Sequence, residues 1–335
     1  MREETYQRLS YEEREEISRC LACGVTPGKI AEELKRARST ITREINRGNG
    51  NKWQYRAGKA DRRSKRNAKK RRYGKRKIKK HKRLKEYVEG RLRIKWSPEQ
   101  IAETLIIEYP NDMNMRISPE SIYMHVYVKP KSRLKEELLR AFRQKHRRRH
   151  KRSYRMAANL REIEDMTSID ERPAEVESRE IPGHWEGDLI VGKNRQSAIG
   201  SLVERTTRFV RIVRLKNKTA EEVKTQFEKS FKKNPEQLRL SLTYDQGREM
   251  ANHKELSKAL NIKVYFAHKA SPWERGTNEN TNGLIRQFFS KGTDFNKVSL
   301  KELRYAEKLL NERPRKTLGW ETPKKAFYES VALKT

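Results

Sequence analysis

Three short strand-like runs, "HWEGDLIVG" (184–192), "QSAIGSLVERT" (196–206) and "RFVRIVRL" (208–215), follow one another across turn-sized gaps. Short apolar, β-branched-rich runs bounded by turns mark strands, and such short connections make neighbouring strands antiparallel. A helical run, "TAEEVKTQFEKSFKK", comes next, then a strand "LRLSLTYD", a helix "MANHKELSKAL" and a strand "IKVYFA". Two more helices are expected around 277–289 and 299–312. The order β-β-β-α-β-α-β-α excludes a helical bundle and an all-β sandwich. It predicts a mixed five-stranded sheet, three antiparallel strands followed by βα crossovers, in a layered α/β domain over roughly 180–312.

Ahead of this block the texture is different. Residues 8–48 read as three helices. Ser10 caps the first, with Glu13 as its capping-box partner. Thr26 caps the second, with Pro27 in its first turn, and Ser39–Arg47 forms the third, ended by Gly48. Residues 52–95 hold 22 Lys and Arg against Asp61, Glu86 and Glu89. So few apolar residues cannot fold alone, and the stretch is expected to track along phosphates as helix or linker. Two helices opening Ser-Pro-Glu, at Ser97 and Ser118, follow, then a basic segment densest at "RQKHRRRHKR" (143–152). The chain is expected to be multidomain: an all-α helix-turn-helix domain at 1–50, a basic linker or helix at 51–95, and a second helical region at 96–155, either a DNA reader or a dimerisation pair. A linker at 156–180, the α/β core at 181–312 and a C-terminal tail at 313–335 complete it.

Charge indicates the partner. The 80 Lys and Arg against 45 Asp and Glu leave +35, and their clustering is the footprint of a polyanion binder. No apolar run approaches the roughly 20 residues of a membrane span. The start, "MREETYQRLS", lacks the apolar centre of a signal peptide, and the basic run has almost no apolar face to insert into a bilayer surface. Nucleic acid, not a membrane, is the expected partner. The two cysteines, Cys20 and Cys23, fit a reducing compartment. Their C-x-x-C spacing has no second Cys or His pair at finger distance, so both read as small half-buried residues.

A helix, tight turn and helix with Ala31 on the first helix and Ile41 packing on the second is a helix-turn-helix pattern. Its second helix enters the major groove, which puts Ser39, Thr40, Thr42, Arg43 and Asn46 at base edges or phosphates. Lys35 stands where such turns usually carry glycine, and there it must adopt a left-handed backbone at some cost.

Phosphodiester chemistry by two Mg²⁺ ions about 4 Å apart needs converging carboxylates. Mg²⁺ prefers carboxylate and water to Cys or His. Asp188 lies within the first strand and Asp245 at the C-terminal end of the fourth. If those strands are neighbours, the two acids lie side by side. A third carboxylate must come from a helix, and "SPWERGTNENTNGLIRQFF" (271–289) offers two. Glu274 precedes the glycine and belongs to the loop. Glu279 sits in the first helical turn and shares a face with Gly283 and Arg286, while Leu284, Ile285, Phe288 and Phe289 supply the buried stripe. Glu279 is therefore the ligand, and Arg286 the holder of a DNA phosphate. Singly, each acid has an ordinary reading: a strand-edge residue, an Asx turn in "YDQG", a helix-start acid. Jointly, in this order of elements, they form a catalytic constellation.

These residues resemble the bacterial Asp-Asp-Glu transposases of the insertion sequence 30 family over nearly the whole chain. The likeness runs through the helix-turn-helix, "WSPEQIAETL…ISPESIYMHVY", "IPGHWEGDLIVG", "TYDQGREMANH", "SPWERGTNENTNGLIRQFF" and "NERPRKTLGWETPKKAF". The 33 residues between Asp245 and Glu279, and the basic Arg286 seven beyond, match the family pattern. The resemblance implies an RNase H-like fold of the retroviral-integrase type for the core. It implies Asp188, Asp245 and Glu279 as metal ligands, Mg²⁺ as cofactor (two ions, Mn²⁺ able to substitute), and an enzyme that cuts the ends of its own element and joins them to new DNA. The ends are terminal inverted repeats, read by the N-terminal part. Joining two ends at once implies a dimer or larger assembly on DNA. His184, before the first Asp, is a second-tier candidate for a phosphate contact, the metal shell or packing. Trp273 and Asn280 shape the site. Rival readings are a DNA-binding regulator without catalysis and a metal-dependent nuclease that cuts but never joins.

Overall fold

The computed structural model describes residues 8–47, 52–72, 77–127, 136, 163–269 and 271–332. It divides into a unit ending at Lys85 and one beginning at Glu86. Gly48 and the basic run 143–152 lie outside the described residues.

In the N-terminal unit, α1 (Tyr11–Ala22), α2 (Pro27–Glu33) and α3 (Arg38–Asn46) bury Ile17, Ile30, Ala31, Ile41 and Ile45 around Tyr55. The Ser10–Glu13 capping box closes as expected. Thr26 takes the cap position of α2, but its hydroxyl makes no capping bond; Pro27 supplies the pre-set first turn instead. Helix α3 starts at Arg38, one residue early, behind Ala37. Lys35 adopts the left-handed backbone foreseen for it, with φ 50°. Arg14 ties the unit together: its Nε donates to Glu44 of α3 at 2.7 Å, and its Nη1 lies 3.3 Å from Asp61 of α4 (Ala57–Arg72). The expectation of two half-buried cysteines is corrected: Cys20 is buried in this core and Cys23 is exposed. Helix α5 (Lys77–Lys80) follows, and α6 (Lys82–Arg93) runs on into the second unit.

The second unit holds α7 (Pro98–Glu108), α8 (Pro119–Tyr127) and the short α9 (Glu175–Ser178). Its sheet comprises β1 (His184–Val191), β2 (Ala198–Glu204), β3 (Val210–Arg214), β4 (Ser241–Tyr244) and β5 (Lys263–Phe266), in the order β3-β2-β1-β4-β5. The pairs β1–β2 and β2–β3 are antiparallel; β1–β4 and β4–β5 are parallel. The expected mixed sheet is present, and the first and fourth strands are neighbours.

Helices α10 (Ala220–Phe231) and α11 (His253–Leu260) cover one face, burying Trp185, Leu202, Phe227, Phe231 and Leu242. Helices α12 (Gly276–Ile285) and α13 (Leu300–Asn311) cover the other, over Ile190, Ile199, Ile212, Leu284 and Leu303. Each such side chain contributes about 1.5–3 kcal/mol by leaving water. Helix α12 stops four residues short of the expected 289, because Gln287 and Phe288 bond three residues back and tighten the last turn. The last helix, α14 (Pro323–Ala332), packs Phe327 on Phe209 at 4.3 Å between ring centroids, and against Trp185. Gln100 at the start of α7 donates to Pro314 O at 2.5 Å, fastening that helix to the segment between α13 and α14. No helix among the described residues is long and apolar enough to cross a membrane.

Candidate active site

Strand β1 alternates. Its even positions, Glu186 and Asp188, face α12, while Trp185 and Gly187 face the other layer. Gly187 is required there, because a Cβ would stand 2.7 Å from the Tyr244 ring of β4. Glu186 pairs in register with Thr243. Carrying that register on by two residues sets Asp188 opposite Asp245, which follows the last residue of β4.

One side chain touches both acids. Arg275, at the end of the turn Pro272–Arg275, is buried. Its Nη2 donates to Asp245 Oδ2 at 3.1 Å, and its Nη1 donates to Gly187 O at 3.0 Å and lies 3.7 Å from Asp188 Oδ1. Asp188 also accepts from Leu189 N and from Asn282 Nδ2, each at 2.8 Å. Burial pushes the Asp188 carboxyl up to about 6; the charges of Asp245 and Glu249 push the same way, and Arg275 pulls against them. Burial likewise raises Glu249, a fourth acid close by, whose carboxylate packs where a side chain on Gly247 would stand. Asp245 is half exposed and accepts from Gly247 N at 3.2 Å.

Helix α12 is fastened over these strands by two asparagines one turn apart. Asn278 accepts from Ser201 Oγ and donates from Nδ2 to Glu186 O at 2.9 Å, while its backbone N donates to the Glu186 carboxylate at 2.8 Å. Asn282 accepts from Ser201 Oγ at 2.7 Å while holding Asp188. Arg205 lies 3.2 Å from Glu186 and balances its buried charge.

Glu279, between the two asparagines, is exposed in the first turn of α12, where the helix dipole favours an acid. The two candidate glutamates therefore differ. Glu274 accepts from His268 N and Nδ1, both at 2.8 Å, so each of its oxygens is engaged. The carboxylates of Asp188, Asp245 and Glu279 do not all three lie within 4.8 Å of one another; among the described residues a triple at that spacing is formed by Glu16, Cys20 and Glu33, where burial pushes the Cys20 thiol up to about 11.

Arg286 closes the C-terminal end of α12 and donates from Nη2 to Val191 O at 2.7 Å, at the end of β1. His184 is buried four residues before Asp188, with Nδ1 2.8 Å from Ser241 Oγ. Trp273 is 74% exposed, two residues before Arg275, and Asn280 is exposed beside Glu279. In the N-terminal unit, Ser39, Thr42, Arg43 and Asn46 are exposed and Thr40 is partly so, on the side of α3 away from Ile41 and Ile45.

Arg275, Asn278, Asn282 and Glu249 were not singled out from the sequence. The asparagines carried a signal: two poor helix formers four apart in one helix require a reason other than propensity.

The family model described as the integrase core domain matches residues 179–272, and that of a helix-turn-helix domain matches residues 5–48. The chain is 41% identical over 332 residues to a transposase for insertion sequence element IS1086 from Cupriavidus metallidurans, covering 98% of this chain and 97% of that one. It is 39% identical over 334 residues to the transposase InsI for insertion sequence element IS30A from Escherichia coli K12, covering 99% and 86%. The solved catalytic core domain of BIV integrase aligns at 21% identity over 45% of this chain and 97% of its own, with a TM-score of 0.37.

Proposed function

The chain belongs to the insertion sequence 30 family of transposases, with an RNase H-like integrase core, and from that premise we propose how it acts. It binds the terminal inverted repeats of its element, cuts the ends to free 3′-hydroxyls and joins those to target DNA, with Asp188, Asp245 and Glu279 as the reacting site. The observation that supports this best is the convergence of Asp188 and Asp245, from adjacent parallel strands, on the single positive charge of Arg275.

That donor set fits a divalent cation. Asp188 is costly to ionise where it lies, and both acids already turn toward a cation. Asp188, Asp245 and Glu279 would hold Mg²⁺, two ions in this reading, with Mn²⁺ able to replace it. When bound, the metal lowers the pKa of an attacking water or 3′-hydroxyl and offsets the charge that develops on the leaving oxygen. The chain's own residues supply the rest. Asn282 fixes which way Asp188 points. Asn278 and Glu186 hold α12, and with it Glu279, against the sheet. Arg275 keeps the two acids together and lowers their mutual repulsion.

In the N-terminal unit, Ser39, Thr40, Thr42, Arg43 and Asn46 would read the repeat from the major groove, and the basic segments add binding that is independent of sequence. Arg286 keeps N–H groups for a phosphate beyond those given to Val191 O and Ser290 O. Trp273 and Asn280 border the acids as contact residues, and His184 serves as packing under the strand. The assembly on DNA is a dimer or larger, in the bacterial cytoplasm.

The test uses labelled duplexes carrying the element's ends, incubated with enzyme and Mg²⁺ or Mn²⁺. Wild type and Glu274→Gln should yield 3′-end cleavage and joined product, while Asp188→Asn, Asp245→Asn and Glu279→Gln should bind but not cut. Binding without cutting in every variant, wild type included, leaves a regulator; cutting without joined product leaves a nuclease.

A further inference from the structure

Beside β3, at the edge of the sheet, a cleft of about 580 Å³ opens between α10 and the start of α13. Five cations line it: Arg214, Lys216, Lys229, Lys233 and Arg304. Among the described residues that line it the one acid is Glu222, which accepts from Lys216 N at 2.9 Å. Arg304 is held by Glu307 at 2.9 Å. The other four side chains are exposed and have no acidic partner among the described residues.

The sorting of charge on α10 gives this meaning. Lys224 and Lys232 point elsewhere and are neutralised, the first by Glu221 and Glu255, the second by Glu228 at 2.5 Å. Lys229 and Lys233, one turn apart on the cleft side, have no acidic partner among the described residues. A surface that is merely solvated gives no reason for one face of a helix to be paired and the other bare. Bare cations on both walls of an open cleft leave a repulsion that a chain of phosphates relieves.

The cleft also lies in line with the acids. Ile212, on its wall, shares a cross-strand row with Ser201 and Asp188. Two inter-strand spacings make that about 10 Å. Arg214 ends β3 opposite Ile199, which pairs with Ile190 just beyond Asp188. Residues Lys193–Arg195, in the β1–β2 turn, continue the basic rim at this end of the sheet, and Lys218 bonds Arg195 O there.

We propose that this cleft is a DNA-docking surface, in which Arg214, Lys216, Lys229 and Lys233 hold the backbone of the duplex whose phosphate reacts at Asp188 and Asp245. The inference rests on the transposition reading above and adds to it where the duplex runs.

The experiment measures full-chain binding to a random-sequence duplex that lacks the repeat, without divalent metal, as a function of salt. The variant carries Arg214→Gln, Lys216→Gln, Lys229→Gln and Lys233→Gln. The control removes equal charge from paired sites: Lys224→Gln, Lys232→Gln, Lys254→Gln and Lys325→Gln. At about 0.9 per phosphate contact, the plot of log K against log salt should become shallower by about 3 to 4 in the cleft variant and stay put in the control. Equal losses in both, or no loss in either, overturn the proposal. Joining assays on the same proteins keep the two readings apart. Normal slopes with Asp245-dependent joining leave the transposase reading intact without the cleft. A lost slope with no joining by wild type keeps the surface and removes the chemistry.

Discussion

Arg275 donates to Asp245 Oδ2 at 3.1 Å while the other arm of its guanidinium lies 3.7 Å from Asp188. A buried cation thus stands between two carboxylates that two strands bring face to face. It compensates the same charge that a divalent metal would.

Arg275→Gln should therefore destabilise the core most when metal is absent. Losing hydrogen bonds to charged groups costs about 1.5–3 kcal/mol. Thermal melts with and without Mg²⁺ check this: the deficit should shrink when Mg²⁺ is added, because the ion takes over the neutralising role. A deficit that ignores Mg²⁺ means that Arg275 and the metal do not share this place.

Asn282 holds Asp188 Oδ2 at 2.8 Å and is itself held by Ser201. Asn282→Ala should leave repeat binding unchanged and slow end cleavage by roughly 100-fold, the scale of a misplacement near 1 Å. Single-turnover cleavage at saturating enzyme separates this from weaker binding.

The strands were legible because short β-branched runs between turn-sized gaps are local signals, and the carboxylates followed from where the strands lay. That Asp188 and Asp245 adjoin depended on β1 lying next to β4, which no local pattern states. Arg275, Asn278 and Asn282 stayed hidden for a related reason. Polar residues at the start of a helix look like a solvated face, and their partners lie 30 residues away for Arg275 and 92 and 94 for the asparagines. The cap at Thr26 was placed correctly but its bond was not, since Pro27 alone can start a helix.

In the N-terminal unit the buried Arg14–Glu44 pair, 2.7 Å apart, fixes the reading helix α3 against α1. Glu44→Ala removes the nearer of Arg14's two carboxylate partners and leaves only Asp61, at 3.3 Å, at a cost of about 1.5–3 kcal/mol for the lost charged hydrogen bond. Repeat binding should fall and the N-terminal transition should move to lower temperature. The test is followed by circular dichroism and by mobility shift, with Arg43→Ala as the variant that weakens binding without unfolding.

His268 bridges Glu274, 2.8 Å from Nδ1, and Asp170, 3.0 Å from Nε2. The hydrogen bond to Glu274, then the charge of Asp170, raises its pKa above the usual value near 6.5. A raised folded-state value favours the protonated ring. The stabilisation is thus fully present below the unfolded value and fades as pH climbs through the folded one. Histidine NMR should give a midpoint above 6.5, and Glu274→Gln should lower it.

The same engagement distinguishes the two glutamates of "PWERGTNEN". Glu274 uses both oxygens on His268, so its loss should disturb a turn and the His268 titration, with joining kept within a few-fold. Glu279 is exposed on a helix that Asn278 and Asn282 press against β1, on either side of it, and no protein group claims its carboxylate among the described residues. An acid positioned by its neighbours but unused by them is available to a ligand. Glu279→Gln should then slow cleavage and joining by about 10²–10³-fold, the order seen when a group acting on the transition state is lost, while leaving the melting temperature and repeat binding in place. Equal loss in Glu274→Gln and Glu279→Gln, with both proteins folded, would assign the chemistry to the turn as a whole and withdraw Glu279 as the third carboxylate.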